Sequence, residues 1–335
     1  MTDDDAATEL PPVLYHYTDA AGLHGILGPG KGPFQVAFPD DDSKFRHQGD
    51  NNIYTNGKAA LFRATDIRYM NDSLELVFGA RIVSERMKQA AEEHAHPALA
   101  STFAEIAEAF EPTRVFEWPF RCFAVCFCGD GDLLSQWRGY AGGVGGYSIG
   151  FPREVLERYS YGIHPKAASN TFNIPSQATL VQVGYGEKVA RERADALVSW
   201  VEHAFDNGGI LLDPDGRPAY FAALATFREI AGIKHEAFQE EREWRLVSVS
   251  GVHMEVRTRP RASGVVPYMD VVVNGRLSGE HGPDYVSDAP LAEVVVGPTE
   301  MPDAQVGAVR DLLRSRGMWG FRDVPVVKSE APFRG

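Results

Sequence analysis

The sequence predicts an α+β protein, and three observations predict it. Strand-like and helix-like segments mix along the chain without a regular βαβ rhythm, which points to a largely antiparallel or mixed sheet. With 44% hydrophobic and 11% aromatic residues, the 335-residue chain can bury a large core and is not disordered by composition. No internal repeat divides it. The length admits one large domain or two ordinary ones. The reading adopted is a single α+β domain over residues 12–330 behind a flexible acidic tail at 1–11.

In chain order, Val13–Thr18 predicts a strand, and Ala20–Leu27 a short amphipathic helix stopped by Gly28-Pro29-Gly30. Residues 29–58, rich in Gly, Pro, Asp and Asn, predict a long surface insertion. Leu61–Thr65 predicts a second strand. Asn71-Asp72-Ser73 caps a helix starting near Leu74, and a helical segment at 81–112 breaks at His96-Pro97. Phe120–Cys128 and Gly146–Phe151 are β-prone, with a glycine cluster between them that predicts a flexible loop beside a cleft. Thr179–Tyr185 alternates like a strand. Helices follow at 187–206 and 219–232, strands at 243–250, 265–273 and 292–297, a helix at 303–316 and a last strand at 323–328.

A net charge of −13 argues against a nucleic-acid surface spread over the whole molecule, since duplex binding draws on many Lys and Arg. It leaves room for a local basic pocket. The acidic Met1-Thr2-Asp3-Asp4-Asp5 start has no apolar core, so no secretory signal is expected. No apolar run approaches the ~18 residues of a membrane span. Three cysteines are too few for a disulfide framework. These points predict a soluble cytoplasmic protein with no membrane partner.

Glu240-Glu241-Arg242-Glu243-Trp244-Arg245-Leu246 carries the strongest chemical signal. On a strand, Glu241, Glu243 and Arg245 line one face and Trp244 and Leu246 the other. Such a row of charge is costly to bury unless a cleft uses it; the plainer reading is a solvent-facing edge where charge deters pairing. His16 and Thr18 share one strand face, against the plainer reading of a satisfied core histidine. Cys122, Cys126 and Cys128 alternate on a strand with no histidine at ligand spacing, so buried thiols are expected and no metal. Gly139 to Gly146 lacks the Lys-Ser/Thr and following helix of a phosphate loop. Asn71, Asp72 and Glu75 are either a site or a helix cap with its first-turn acid. Ser135 lacks the Gly-x-Ser-x-Gly of a hydrolase elbow. His94 and His96 fit a solvated face.

Taken together, Tyr15-His16-Tyr17-Thr18, Ala64-Thr65 leading to Tyr69-Met70-Asn71-Asp72, Leu133–Tyr140 before Gly146–Phe151, Lys234-His235 with Glu241–Leu246, and Val294–Pro298 resemble a large bacterial domain family of unknown function. More distantly, His-x-Thr on a first strand and a late Glu-x-Glu strand resemble the ADP-ribosyltransferase superfamily of the His-Tyr-Glu type. That resemblance implies a split, mixed or antiparallel sheet around a cleft with inserted helices, and NAD as substrate. It implies that His16 and Thr18 hold NAD, that an aromatic ring packs on nicotinamide, and that Glu243, with Glu241 as companion, holds the ribose hydroxyl. Tyr69 takes the aromatic place by order, with Tyr54 and Tyr147 competing. Arg138 or Arg245 would pair with the pyrophosphate; for Arg245 an ion pair with a neighbouring Glu is the plainer reading.

The expected function is an NAD-dependent ADP-ribosyltransferase or NAD glycohydrolase acting on an unidentified acceptor, with a toxin or phage-defence role by analogy alone. The alternatives are a catalytically silent nucleotide-binding sensor, and a nuclease or hydrolase using Asp72, Glu75 and Glu243 with a divalent metal.

Overall fold

The computed structural model describes residues 10–27, 59–70, 73–114, 116–117, 121–140, 145–163, 176–207, 219–250, 256–261, 264–274, 277–278, 286–287, 289–316 and 324–332. The expected insertion at 29–58 and most of the acidic tail lie outside them, as do Tyr54, Asn71, Asp72 and the centre of the glycine cluster.

The chain opens with β1 (Val13–Thr18), α1 (Ala20–Leu27) and β2 (Ala60–Asp66), followed by α2 (Ser73–Glu93), α3 (Pro97–Ala109) and β3 (Arg121–Cys128). It continues with α4 (Leu134–Tyr140), β4 (Tyr147–Pro152), α5 (Arg153–Arg158), β5 (Ser160–Ile163), β6 (Ser176–Gln177), β7 (Thr179–Gln182) and β8 (Gly184–Tyr185). Then come α6 (Gly186–Asp206), α7 (Ala219–Ala231), β9 (Ile233–Lys234), β10 (Glu243–Ser250), β11 (Arg257–Arg261) and β12 (Gly264–Val273). The last elements are β13 (Leu277–Ser278), β14 (Val286–Ser287), β15 (Glu293–Val296), α8 (Pro302–Ser315) and β16 (Val326–Lys328).

Most expected elements stand where local pattern put them. Pro97 opens α3, where its missing amide costs no helical hydrogen bond. Asp19 precedes α1 and accepts the Gly22 amide at 2.7 Å. Three differences bear on the site. Leu134–Tyr140 is a helix. The strand expected over Thr179–Tyr185 is divided between β7 and β8, which pair with β10 and β9 respectively. Glu241 does not lie on the strand with Glu243: it ends a 3-10 turn, Glu236–Glu241, and Arg242 then takes the left-handed conformation (φ 43°) before β10 begins.

Among the described residues twelve strands form one mostly antiparallel sheet, in the order β16-β15-β4-β1-β3-β2-β12-β5-β6, with β10 on β3, β7 on β10 and β11 on β12. Only β15 and β16 run parallel within it. Helices cover both faces. On β3, Cys122 and Ala124 face a core built from α2, α3, α6 and α7, with Met87, Phe103, Val201 and Phe227. Phe123, Val125 and Phe127, one residue out of step, face a second core with α1, α5 and α8. On β10, Val247 faces the first core and Trp244 and Leu246 the second, as the alternation requires. The expected α+β class is thus realised as a mixed α/β arrangement around an open, largely antiparallel sheet. No helix among the described residues is long and apolar enough to cross a membrane.

The sheet forks at β3. One edge of β3 is taken along its whole length by β10, from Glu243↔Cys128 to Ser250↔Arg121. The other edge is shared: β2 pairs at Phe123 and Ala124, β1 only at Tyr15↔Cys128. Beyond Tyr15, β1 leaves β3 and follows β4 in continuous register. The wedge between β1 and β2 exposes the β3 backbone at Cys126, and the His16 imidazole takes its carbonyl at 2.8 Å. A side chain thus replaces a ladder bond, satisfying the carbonyl where strand pairing fails.

Candidate functional site

The residues around the fork come from four separate segments. Tyr15, His16 and Tyr17 on β1, Cys126–Cys128 on β3, Gln136 and Tyr140 on α4, and Glu241 with Glu243 before and on β10 line one hollow of about 40 Å³. By that measure the space holds a few waters. It is well below the ~300 Å³ at which small-molecule pockets begin.

His16 packs edge-on against Phe62 (5.1 Å between centroids) and Phe127 (5.8 Å). Burial lowers its pKa; the bond to the Cys126 carbonyl opposes that, and the positive charge of Arg259 adds to it. The ring is therefore neutral near pH 7. Because a carbonyl only accepts, Nδ1 carries the proton and Nε2 is left as an acceptor.

Glu243 is 5% exposed and lies in an ionic lattice. Arg245 Nε donates to Oε1 at 2.7 Å and Nη2 to Oε2 at 3.0 Å, a bidentate clamp; Lys234 Nζ donates to the same Oε2 at 3.0 Å and to Glu241 Oε2 at 2.7 Å. Arg245 Nη1 is anchored on the Ala231 carbonyl at 2.9 Å, and Lys234 lies over the Phe238 ring. Burial alone would raise the Glu243 pKa, but Arg245, Lys234 and the Cys126 thiol together outweigh it and hold the carboxyl at about 2. Burial and the Glu243 charge push the Cys126 thiol well up, so it is a donor and not a nucleophile. The three cysteines are free, with Cys122 and Cys128 buried as expected.

α4 is held against β1 by Tyr17. Its hydroxyl donates to the Asp130 carbonyl and accepts from the Leu133 amide, both at 2.8 Å, and its ring meets Trp137 edge-on at 4.7 Å. Asp132 accepts from Trp137 Nε1 at 2.7 Å and from the Glu330 amide, tying α4 to the C-terminal segment. Tyr15 donates to Glu293 at 2.7 Å, and its ring leaves no room at Gly131 or Gly150, where a Cβ would come within 2.5 and 2.9 Å of it. Tyr17→Phe strands a part-buried carbonyl and amide at once. A loss of roughly 1–3 kcal/mol is expected, read as a lower urea midpoint at unchanged slope; an unaltered midpoint would mean water replaces the hydroxyl.

The structure gathers His16, Glu241, Glu243 and Arg245, and it places the other expected residues elsewhere. Thr18 turns to the start of α1, where a Cβ on Gly22 would collide with its Oγ1. Tyr69 sits exposed in the 3-10 turn Ile67–Tyr69, which follows the end of β2 paired to Phe123, at the far end of β3 from Cys128. Tyr140, not Tyr69, lines the hollow. Tyr147, the competing candidate, donates to Gln305. Arg138 is exposed on α4. Arg245 is committed to Glu243, its plainer reading. The side chains of Asp72 and Glu75 lie outside the described residues, among which no group of three His, Cys, Asp or Glu side chains is placed to hold a metal ion.

Sequence reasoning passed over Tyr140, Gln136 and Lys234 as site residues. Their signal was present, since all three fall in the Leu133–Tyr140 and Lys234–Leu246 segments that carry the family resemblance. No curated protein and no solved structure matches the chain. Residues 136–246 match a family described as protein of unknown function DUF2971; the match begins at Gln136 on α4 and ends at Leu246 on β10, so it spans Tyr140, Lys234, Glu241, Glu243 and Arg245.

Proposed function

We propose that this protein consumes NAD, breaking the nicotinamide–ribose bond and passing the ADP-ribosyl group to an acceptor or to water. The observation that carries this reading is the convergence at one fork of a neutral histidine, a tyrosine and two carboxylates drawn from three segments. Nicotinamide leaves with the bonding electron pair and needs no acid. The ribosyl cation that develops is stabilised by a carboxylate bonded to a ribose hydroxyl. Nε2 of His16 accepts a second ribose hydroxyl. Both oxygens of Glu243 are engaged by Arg245 and Lys234, so the carboxylate that meets ribose is Glu241, whose side chain keeps 19% exposure. Tyr140, 42% exposed at the mouth, swings aside to admit the nicotinamide ring and stacks on it.

A second reading, a nucleotide-binding module without chemistry, draws support from the small hollow and from the full engagement of Glu243. Nicotinamide release from NAD, with and without cell lysate, separates the two. Wild type is expected to release nicotinamide and Glu241→Gln to lose at least ~100-fold in turnover, in keeping with the loss of one transition-state contact. Binding of NAD without release by wild type would select the silent module; equal turnover in Glu241→Gln would take Glu241 out of the mechanism.

A further inference from the structure

The fork has a basic flank that the reading above leaves unused. β11 reads Arg257-Thr258-Arg259-Pro260-Arg261, and alternation turns its three arginines to one face. Register across β12 sets Arg259 opposite Val266 and Arg257 opposite Tyr268, which in turn pairs with Thr65 of β2. Arg63 of β2 joins the same face opposite Asp270 and stands over the Tyr268 ring at 5.3 Å. Asp270 is taken by Arg257.

Arg259 crosses β12 towards the fork. Its Nη2 donates to Thr65 Oγ1 at 2.8 Å, and Thr65 pairs with Ala124 of β3, at the fork's edge. Its Nε is shut off from solvent without a hydrogen-bond partner among the described residues. Burial lowers its pKa, and the like charges of Arg261 and Arg63 lower it further. Its own charge reaches His16. Arginines on an edge strand deter unwanted pairing, but that role asks only for exposed charge. It does not explain a guanidinium turned inward, half-buried among like charges with a donor unmet. An anion at this point would meet the donor, relieve the repulsion and suit the planar fork of the guanidinium.

We propose that Arg259, flanked by Arg63 and Arg261, binds the phosphate or diphosphate group of a small ligand whose remainder enters the hollow at the fork. That the remainder is a nicotinamide ribosyl group rests on the proposed function; the phosphate site itself does not. The ligand phosphate lies on the β2–β11 side of His16, opposite the Glu241–Glu243 side, so the ligand spans the wedge.

The test is calorimetric titration of the full chain with inorganic pyrophosphate and with ADP-ribose, using wild type, Arg259→Gln, Arg63→Gln and, as a remote control, Arg314→Gln on α8. Wild type is expected to bind both probes, more weakly as salt rises. Arg259→Gln should weaken both by about tenfold or more, the worth of one charged hydrogen-bonding group, and Arg63→Gln by less; Arg314→Gln should match wild type. Thermal melts establish that the variants are folded, and Arg63→Gln carries the test if Arg259→Gln is not. Wild type that binds neither probe, equal binding in Arg259→Gln and Arg63→Gln, or binding of a single-stranded RNA in preference to both probes would overturn the site. Arg259-dependent pyrophosphate binding without nicotinamide release would uphold it while removing the NAD reading. Nicotinamide release at unaltered KM in Arg259→Gln would do the reverse.

Discussion

Glu243→Gln is expected to destabilise the protein by roughly 3–5 kcal/mol, the cost of removing one partner from a buried ion pair. Arg245, whose side chain is 4% exposed, would face a neutral amide that offers one acceptor where the carboxylate offered two. Lys234 would keep Glu241, which limits the damage on that side. Loss of turnover in this variant therefore says little about chemistry, and Glu241→Gln is the informative substitution. The pH dependence follows from the same geometry. The carboxyl ordinarily titrates near 4.5 and is held at about 2 in the folded protein. Below 4.5 the unfolded chain takes up the proton first, so the contribution is complete above pH 4.5 and disappears as the pH falls towards 2. Its size is on the order of 3 kcal/mol. Urea midpoints measured across that window should fall more steeply for wild type than for Glu243→Gln. Parallel curves would show that Glu243 is not ionised by its neighbours in the way the distances imply.

Asp66→Ala should cost a similar amount, roughly 3–5 kcal/mol, for a related reason. Asp66 is fully buried, accepts Arg68 Nε at 3.0 Å and Nη2 at 2.7 Å, and accepts Arg121 Nη1 at 3.0 Å. It also accepts the Arg68 amide at 3.1 Å, closing the 3-10 turn that follows β2. Its removal leaves the Arg68 guanidinium, 6% exposed, without its carboxylate. Arg121 is 32% exposed and solvated, so Arg121→Ala should cost only about 1 kcal/mol or less. The contrast between the two variants in chemical denaturation is the decisive reading. If both cost alike, the ion pair across the strands and not the buried turn would carry the energy.

These two clusters also mark where sequence reading reached its limit. The charges of Glu243 and Arg245 were recognisable as a group because they sit two apart on one strand. Lys234 was visible only as part of a motif, and Asp66 with Arg121 not at all, because their contact joins residues 55 apart along the chain. Tyr69 was placed at the site by order along the chain, whereas order carries no information about which end of β3 a residue meets. Tyr140 lines the hollow because Tyr17 and Asp132 fasten α4 beside β1. The arginines of β11 alternate in the sequence, yet their shared face became meaningful only once β12 set them beside Arg63 and Thr65.

By itself the sequence determined where strands and helices lie, which strand faces are apolar, and that Cys122 and Cys128 are buried thiols. Each of these is encoded in spacings of two to four residues, within reach of backbone sterics and side-chain periodicity. The tertiary structure alone decided that the sheet forks at β3, that His16 fills the gap, that Glu243 is locked by Arg245 and Lys234, and that Arg259 is turned inward. Those outcomes depend on which strands meet and in what register. A buried charge has no stable place until distant parts of the chain bring its partners to it.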